Sequence, residues 1–358
     1  MDMDLEMQYQ KLPETLLPWY LANARDLPWR RDTEPYHVWL SEIMLQQTRV
    51  EAVRDYYSRF LQALPTIQSL ADVTESRLLK LWEGLGYYSR ARNLQKAARQ
   101  IVLERDGVFP ETYEEILALP GVGPYTAGAI ASICFEAPVA AVDGNVLRVV
   151  SRITEDHTPV DLPAARQGIK ERLETVYPRG ACGTFTQALM ELGATVCTPK
   201  SPKCGACPAN SLCLAHAHGT ASQLPVRLPK REKRTELRTV FLFTCEGKLA
   251  LERRTDGGLL SGLWQLPNVS GHLTPEEALL QAEAMGVHPS ELCQEVHKTH
   301  VFTHIRWEMV CYHIPCKVPV SRYCWATTEE LRTKYALPTA FRIFLDGQPV
   351  RRGGDAYL

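Results

Sequence analysis

The amino-acid sequence predicts two domains, an all-α domain followed by an α+β domain. Its 358 residues exceed what one compact domain usually holds. From about residue 13 to residue 213, apolar residues recur at three- and four-residue spacing, which is typical of helices that bury one face. After residue 237, runs of β-branched and aromatic residues indicate strands. We therefore expect a multidomain chain with its helical part first.

Composition and charge are those of an ordinary soluble globular protein. Hydrophobic residues make up 45% and charged residues 23% of the chain, and 40 Lys and Arg against 41 Asp and Glu leave a net charge of −1. That balance neither indicates nor excludes a polyanionic partner. The acidic amino terminus lacks the features of a secretory signal, and no run of about 18 apolar residues predicts a membrane span. The eleven cysteines are then expected to be free thiols and metal ligands in the cytoplasm.

The helical domain is expected to extend from residue 8 to residue 215. Its apolar spacing is shown by Tyr36, Trp39, Leu40 and Ile43. Prolines interrupt the pattern near predicted helix boundaries, at Pro65, Pro110 and Pro138. Residues 216–236 are interpreted as a linker because small residues, prolines and a basic run replace the apolar pattern. A solvated connector is the simpler interpretation of the basic run, and contact with a nucleic-acid backbone stays open.

The second domain is expected at residues 237–346, followed by a tail at residues 347–358. Within it, Thr239–Phe243 and Met309–Ile314 have the composition of strands, and Pro275–Met285 has the pattern of a helix. Strands and a helix in one segment predict an α+β domain.

Four cysteines form a closely spaced run. Cys197, Cys204, Cys207 and Cys213 have the spacing C-x6-C-x2-C-x5-C. Thiolates within 17 residues of one another can surround one metal centre, because thiolate is a soft, charged ligand. Structural zinc usually takes two separated pairs of ligands, whereas iron–sulfur cubes accept irregular runs. The spacing favours an iron–sulfur cluster in a loop at residues 195–213, with zinc or unligated thiols as alternatives.

A glycine-containing turn lies between two helical segments. Gly121 and Gly123 let the backbone turn tightly with its amides exposed, and Pro124 suits the first turn of the next helix. Exposed amides and the helix dipole together favour a bound anion such as a phosphate. Gly121, Val122 and Gly123 are therefore candidate backbone-phosphate ligands, with an ordinary helix–helix turn as the alternative.

Two carboxylates are candidate catalytic groups. Asp143 precedes a helical pattern, where it would accept backbone amides, and a plain helix N-cap is the alternative. Glu42 lies on a predicted helix with apolar Val38 and Leu45 on its flank. An apolar flank raises the pKa of a carboxyl group, which suits a proton donor near neutral pH. A solvated helix glutamate is the alternative for Glu42.

The chain resembles the MutY family of helix–hairpin–helix DNA glycosylases, within the endonuclease III superfamily. The resemblance lies in four features and in their order along the chain: the segment around Glu42, the glycine turn, Asp143 and the cysteine run. The resemblance extends from about Trp19 to Phe344. It implies a [4Fe–4S] cluster and a double-stranded DNA partner in which adenine lies opposite 8-oxoguanine or guanine. It also implies a monomer associated with the nucleoid of a bacterial cytoplasm.

The resemblance assigns roles to single residues. Glu42 would protonate adenine, and ionised Asp143, with Asn145 beside it, would stabilise the charge on the deoxyribose or bond briefly to it. Tyr125 replaces the strand-cleaving lysine of the endonuclease III branch, so we expect base removal without a lyase step and a hydrogen bond from Tyr125 to Asp143. The implied adenine pocket, apart from Glu42, comprises Trp29, Arg30, Leu45, Thr48 and Gln187. The implied duplex wedge comprises Gln47 and Tyr87. An aromatic core position is the alternative for Tyr87.

The second domain has two further resemblances. Gly262–Pro267 resembles the segment before the catalytic helix of Nudix hydrolases, but the positions aligned with its acidic residues hold Leu279, Leu280, Glu283 and Ala284. One carboxylate is too few for a pyrophosphatase metal site, so a Nudix-like fold used for binding is expected. The lesion-sensing F-S-H loop of the MutY family is similar to Phe302, Thr303 and His304, with Thr in place of Ser.

Two other functions compete with this interpretation. A bifunctional pyrimidine-lesion glycosylase and lyase would share the hairpin and the cluster, but Tyr125 counts against it because a phenol cannot form an imine. A non-enzymatic DNA-binding or redox protein would use the cluster as a charge-transfer sensor, but it would not need both Glu42 and Asp143.

Overall fold

A computed structural model of the chain describes residues 2–229, 232–255 and 257–345, with side chains from residue 6 onward. The predicted tail at residues 347–358 lies outside the described residues. Contacts between residues divide the chain into two units. Within the described residues, the helical unit comprises residues 2–72 and 92–229, and the sheet unit comprises residues 73–91, 232–255 and 257–345.

Helices dominate the chain up to residue 217. They are α1 (Asp2–Asn23), α2 (Pro35–Leu45), α3 (Val50–Ala63), α4 (Ile67–Asp72), α5 (Glu75–Leu81), α6 (Ser89–Arg105), α7 (Tyr113–Leu117), α8 (Pro124–Phe135), α9 (Gly144–Ile153), α10 (Pro163–Glu174), α11 (Cys182–Thr195) and α12 (Leu214–Ala217). Short 3-10 helices lie at Pro28–Arg30, Cys204–Ala206, Asn210–Leu212 and Ala221–Gln223. The helical character predicted for this part of the chain is confirmed. No helix of the described residues has the length and apolar character needed to cross a bilayer.

The centre of the helical unit is the packing of α9 against α11. Every side chain of α9 from Val146 to Ile153 is buried. Its apolar side chains join those of Phe185, Leu189 and Leu192 in one hydrophobic cluster. A Cβ added to Gly193 would lie 2.5 Å from the Cβ of Asn145, so only glycine permits this close approach. The start of α9 is therefore held firmly against α11.

The sheet unit is built on a mixed β-sheet. Its strands are β1 (Arg234–Cys245), β2 (Lys248–Arg253), β3 (Trp264–Gln265), β4 (Asn268–Ser270), β5 (Gln294–Val301), β6 (Ile305–Pro315) and β7 (Cys324–Ala326). The path through the sheet is β3-β2-β1-β6-β5, with β4 paired to β1 and β7 paired to β2. β1 and β6 run parallel, and β5 pairs antiparallel with β6. Both strand segments predicted from the sequence lie within β1 and β6.

Helices of the sheet unit cover both faces of its sheet. They are α13 (Pro275–Ala284), α14 (Thr328–Thr333) and α15 (Thr339–Arg342), and the first of them confirms the predicted helix. Because side chains alternate along a strand, Phe241 packs in the cluster under α13, whereas Leu242 packs in the cluster with Phe341 of α15. The prediction of an α+β second domain is confirmed.

Residues 73–91 belong to the sheet unit although they lie far from it in sequence. The ammonium of Lys80 donates to Glu83 at 2.6 Å, to the carbonyl of Leu331 at 2.6 Å and to that of Tyr335 at 3.2 Å. Glu83 also accepts a hydrogen bond of 2.7 Å from the amide of Leu337. Both charged side chains are only 9% exposed. A nearly buried ion pair thus joins α5 to the chain that follows α14.

Candidate active site

A cavity of about 630 Å³ in the helical unit is lined by most of the predicted catalytic and substrate-binding residues. Its lining includes Trp29, Arg30, Glu42, Leu45, Gln47, Thr48, Tyr125, Asp143, Asn145 and Gln187. They come from five regions of the chain. These are the 3-10 helix Pro28–Arg30, α2 with the residues directly after it, α8, the start of α9, and α11. Cavities of this size hold small organic ligands such as a purine base. Glu42 and Asp143 share this cavity, as the sequence interpretation requires.

Glu42 is a buried acid in the last two turns of α2, with 6% of its surface exposed. The hydroxyl of Tyr125 donates a hydrogen bond to its Oε2 at 2.6 Å. The pKa of Glu42 is raised to about 7, chiefly by burial and also by the charge of Asp143, against the lowering effect of the Tyr125 hydrogen bond and of Arg30. The carboxyl group can therefore carry a proton near neutral pH, as the apolar flank predicted.

Tyr125 corrects one expectation. We expected its phenol to bond to Asp143, but it donates to Glu42. The physical reason is that Gly123 caps α8 and Pro124 opens it, which places Tyr125 in a first turn that packs against α2. Burial, and then the charges of Glu42 and Asp143, raise the pKa of the phenol well above its ordinary value. Tyr125 is therefore a neutral donor that positions Glu42.

Asp143 is the N-cap of α9, as the sequence suggested. Its Oδ1 accepts the amides of Asn145 at 2.8 Å and Val146 at 2.7 Å, and its Oδ2 accepts the side-chain amide of Asn145 at 2.8 Å. Burial raises the pKa of Asp143, although these hydrogen bonds act to lower it. The hydrogen bonds from these amide groups favour the ionised form of Asp143 and fix the orientation of its two carboxylate oxygens.

Arg148, which the sequence interpretation did not include, holds Asn145 in place. Its Nη2 donates to Asn145 Oδ1 and to the carbonyl of Gly193, both at 2.8 Å. Its Nε donates to the carbonyl of Cys197 at 2.7 Å. Because Asn145 accepts from Arg148 through its oxygen, its amide nitrogen must face Asp143. The three-residue spacing of Asn145 and Arg148 on α9 is the signal that could have found this pair.

A second missed group lies behind the cavity lining, where it holds two arginines that line the cavity. Glu191 of α11 is fully buried and accepts hydrogen bonds from Arg25 at 2.6 and 2.8 Å and from Arg30 at 2.9 Å. Burial raises its pKa, but these arginines outweigh burial and hold the pKa of Glu191 below its ordinary value. Nearby, the hydroxyl of Tyr20 donates to Oε1 of Gln187 at 2.5 Å. The cavity lining therefore includes two arginines held by Glu191 and the side-chain amide of Gln187 held by Tyr20.

The glycine turn lies outside the cavity lining and has the predicted hairpin form between α7 and α8. Gly121 has a φ of 79°, and a Cβ added to it would lie 2.6 Å from Cβ of Asn93. The amide of Val122 donates to the carbonyl of Leu119 at 3.1 Å. Gly123 and Pro124 begin the 12-residue helix α8. Glycine is therefore required at position 121 by both backbone and packing.

Gln47 and Tyr87, the two predicted wedge residues, both have left-handed backbones, with φ of 57° and 48°. Non-glycine residues rarely adopt this conformation, and where it occurs it often marks a binding or catalytic segment. Gln47 lines the cavity. Tyr87 is 43% exposed and lies in the sheet unit, which argues against the alternative of a core position.

Thr303 lies in the turn between β5 and β6, within the loop Phe302–His304. Its hydroxyl is 3.0 Å from the hydroxyl of Tyr87, inside the sheet unit. Phe302 packs edge-on against Trp307 with ring centres 4.9 Å apart, and its carbonyl accepts a hydrogen bond from Lys233 at 2.8 Å. The turn is thus anchored behind Thr303, and two residues that the sequence singled out separately are neighbours.

The four cysteines of the predicted cluster line one cavity together with Arg152. The guanidinium of Arg152 lies 3.3 Å from the sulfur of Cys197, and the thiol of Cys213 lies 3.3 Å from the carbonyl of Arg152. Among the described residues, no three His, Cys, Asp or Glu side chains are placed to hold a single metal ion. Four soft sulfur donors around one cavity are the donor set that an iron–sulfur cluster would take.

Both units of the chain are similar to known proteins. Residues 40–173 match the family "HhH-GPD superfamily base excision DNA repair protein", and residues 239–347 match "NUDIX domain". An adenine DNA glycosylase of Rattus norvegicus is 36% identical over 94% of this chain and 78% of its own length. That of Homo sapiens is 35% identical over 94% of this chain and 74% of its own. The structure of a thermostable thymine-DNA glycosylase is 29% identical, with a TM-score of 0.54 over 59% of this chain and 98% of the other.

Proposed function

The chain belongs to the adenine DNA glycosylase family, hydrolases that cleave the N-glycosidic bond in base-excision repair, and on that premise we propose that it removes adenine opposite 8-oxoguanine or guanine. The observation that carries the proposal is the pair of carboxyl groups, Glu42 and Asp143, on one cavity large enough for a purine. Adenine must leave the base stack to enter it, which costs a few kcal/mol.

Glu42 is the general acid of the proposed reaction. With a pKa of about 7, a substantial fraction of its carboxyl groups is protonated at neutral pH. The proton passes to a ring nitrogen of adenine, and the electron pair of the breaking C–N bond leaves with the protonated base. Tyr125 keeps the acid in place through its 2.6 Å hydrogen bond.

Asp143 acts on the sugar. As the bond breaks, positive charge develops on the deoxyribose, and the ionised carboxylate stabilises it or forms a transient bond before water attacks. Asn145 supports the ionised form by donating to Oδ2, and Arg148 fixes Asn145. The phenol of Tyr125 cannot form a Schiff base, so the proposed reaction ends at an abasic site without strand cleavage.

We propose that Cys197, Cys204, Cys207 and Cys213 hold a [4Fe–4S] cluster, because they provide four soft donors around one cavity. When bound, the cluster would cross-link the loop that follows α11, and its iron–thiolate bonds would fix that loop against Arg152. Base removal itself is assigned to Glu42 and Asp143.

Recognition of the opposite base is assigned to Tyr87 and Thr303. The hydroxyl of Thr303 can donate or accept a hydrogen bond, as reading a modified purine requires. Its contact with Tyr87 and the anchoring of Phe302 support a preformed reader. The methyl group that distinguishes Thr from Ser at this position leaves the hydroxyl available.

The test is an excision assay with labelled duplexes that pair adenine with 8-oxoguanine, guanine or thymine. We expect alkali-sensitive sites opposite 8-oxoguanine and guanine, much less product opposite thymine, and uncleaved strands until alkali is added. Equal rates on all three duplexes would contradict the proposed substrate. Covalent trapping by borohydride would contradict the absence of a lyase step.

A further inference from the structure

Part of the predicted connector is fixed on the helical unit. The side chain of Leu224 is 2% exposed, and its carbonyl accepts a hydrogen bond of 3.0 Å from Arg152. The carbonyl of Val226 accepts a hydrogen bond of 3.1 Å from the amide of Val160. The amide of Leu228 donates to Asp161 at 3.0 Å. Residues 224–228 therefore have a defined position on the helices.

This segment brings Arg227 to the rim of the reaction cavity. One Nη of Arg227 pairs with Asp161 at 3.2 Å. The other lies 4.0 Å from where a Cβ on Gly144 would be, and Gly144 lines the cavity next to Asp143. The side chain is 46% exposed. A guanidinium has five N–H donors, and Asp161 takes one, so Arg227 keeps donors for an anion.

A second arginine lies at the same cavity. Arg166 of α10 contributes to the lining and is exposed. Its Nε donates to the carbonyl of Val160 at 2.9 Å, on the residue that also anchors Val226. Its two terminal nitrogens remain as donors. Two exposed guanidinium groups therefore share one anchoring point beside the cavity.

A nucleotide that enters the cavity would bring negatively charged phosphates close to the carboxylates, so positive charge at the rim would favour its binding. An extruded nucleotide carries a phosphodiester on each side of its sugar, and the sugar must approach Asp143. The charges of Asp143 and of any ionised Glu42 repel those phosphates. Arginine forms forked, charge-assisted hydrogen bonds with phosphate oxygens, which offset that repulsion.

We propose that Arg227 and Arg166 bind a phosphodiester that flanks the extruded nucleotide. The connector then contributes directly to the DNA site, and Asp161 orients Arg227 through their ion pair. This inference rests on the proposed function, because it assumes that a nucleotide leaves the duplex to enter the cavity.

The experiment measures equilibrium binding of the full chain to a duplex with a stable abasic analogue opposite 8-oxoguanine, over a series of salt concentrations. Each phosphate contact contributes about 0.9 to the slope of log affinity against log salt. We expect Arg227→Gln to reduce that slope by about one and Arg227→Lys to retain it, since the charge is kept. On a fully paired duplex, Arg227→Gln should change the slope much less.

Arg105→Gln is the matched control, because Arg105 is also exposed, is paired with Glu115 at 2.7 Å and does not line the cavity. Equal slopes for wild type and Arg227→Gln, or an equal decrease in Arg105→Gln, would overturn the inference. Binding requires no base removal, so the slopes remain readable if the wild type excises no adenine, and that result would contradict only the proposed function.

Discussion

The two units of the chain differ in where their candidate functional groups lie. In the described part of the helical unit, Glu42 and Arg152 are buried charged side chains that line the reaction cavity and the cysteine cavity, respectively. Two further buried charged side chains, Arg148 and Glu191, hydrogen-bond to residues that line the reaction cavity. In the sheet unit, the predicted reader residues Tyr87 and Thr303 are exposed. Burying a charge is costly unless it is paired and hydrogen-bonded. The difference is consistent with the proposed division between a buried catalytic site and an exposed recognition surface.

The comparison predicts unequal effects of substitution. A change at a buried, hydrogen-bonded charge of the helical unit removes an interaction that water cannot replace. A change at an exposed hydroxyl of the sheet unit removes one hydrogen bond that water can partly replace. Rates should respond strongly in the first case, and the preference between substrates should respond modestly in the second.

The largest effect is expected for Asp143→Asn. Asparagine can still cap α9 through its oxygen, so folding and DNA binding should be retained, while the negative charge beside the sugar is lost. We expect the single-turnover rate of adenine release to fall by ~1,000-fold or more. Asp55→Asn, an exposed position on α3, is the matched control and should leave the rate unchanged. Near-normal turnover by Asp143→Asn would remove this carboxylate from the mechanism.

An intermediate effect is expected on the pH profile. The pKa of Glu42 is raised to about 7, so the proton donor is present below pH 7 and is lost as the pH rises through that value. The single-turnover rate should therefore fall on the alkaline side. The Tyr125 hydrogen bond lowers the pKa of Glu42 by stabilising its carboxylate, so Tyr125→Phe should move the alkaline midpoint upward by about one pH unit.

Glu42→Gln is the reference for this profile, because it removes the titrating group. Its residual rate should lack the alkaline decline and be lower than the wild-type rate by about 100-fold or more. An unchanged midpoint in Tyr125→Phe would show that the phenol does not set the acidity of Glu42.

The smallest effect is expected in the sheet unit. Thr303→Val keeps the size of the side chain but removes the hydroxyl that contacts Tyr87. The ratio of excision rates opposite 8-oxoguanine and guanine should fall about 2- to 10-fold, the range for one hydrogen bond. Thr303→Ser should keep the ratio, and Thr299→Val, at an exposed position of β5, is the matched control. A larger decrease in the excision rate opposite both bases would indicate instead that Thr303 takes part in base removal.

Features that depend on neighbouring residues were open to prediction from the sequence. The N-cap of Asp143 depends on the start of α9, and the acidity of Glu42 depends partly on the apolar flank of α2. The spacing of the four cysteines limits them to one loop, and the glycine hairpin depends on backbone freedom at Gly121. These features act within a few residues, where helix periodicity, capping and backbone sterics have known rules.

Partners far apart in sequence were decided only by the tertiary structure. Arg25 and Glu191 pair across 166 residues, and Tyr87 and Thr303 meet across 216. The bond from Tyr125 to Glu42, rather than to Asp143, follows from the packing of α8 on α2. The residue type determines which groups a side chain can bind. Which of those groups lies within hydrogen-bonding distance depends on how whole helices and strands pack. That packing reflects the burial of apolar surface along the entire chain, which no short motif contains.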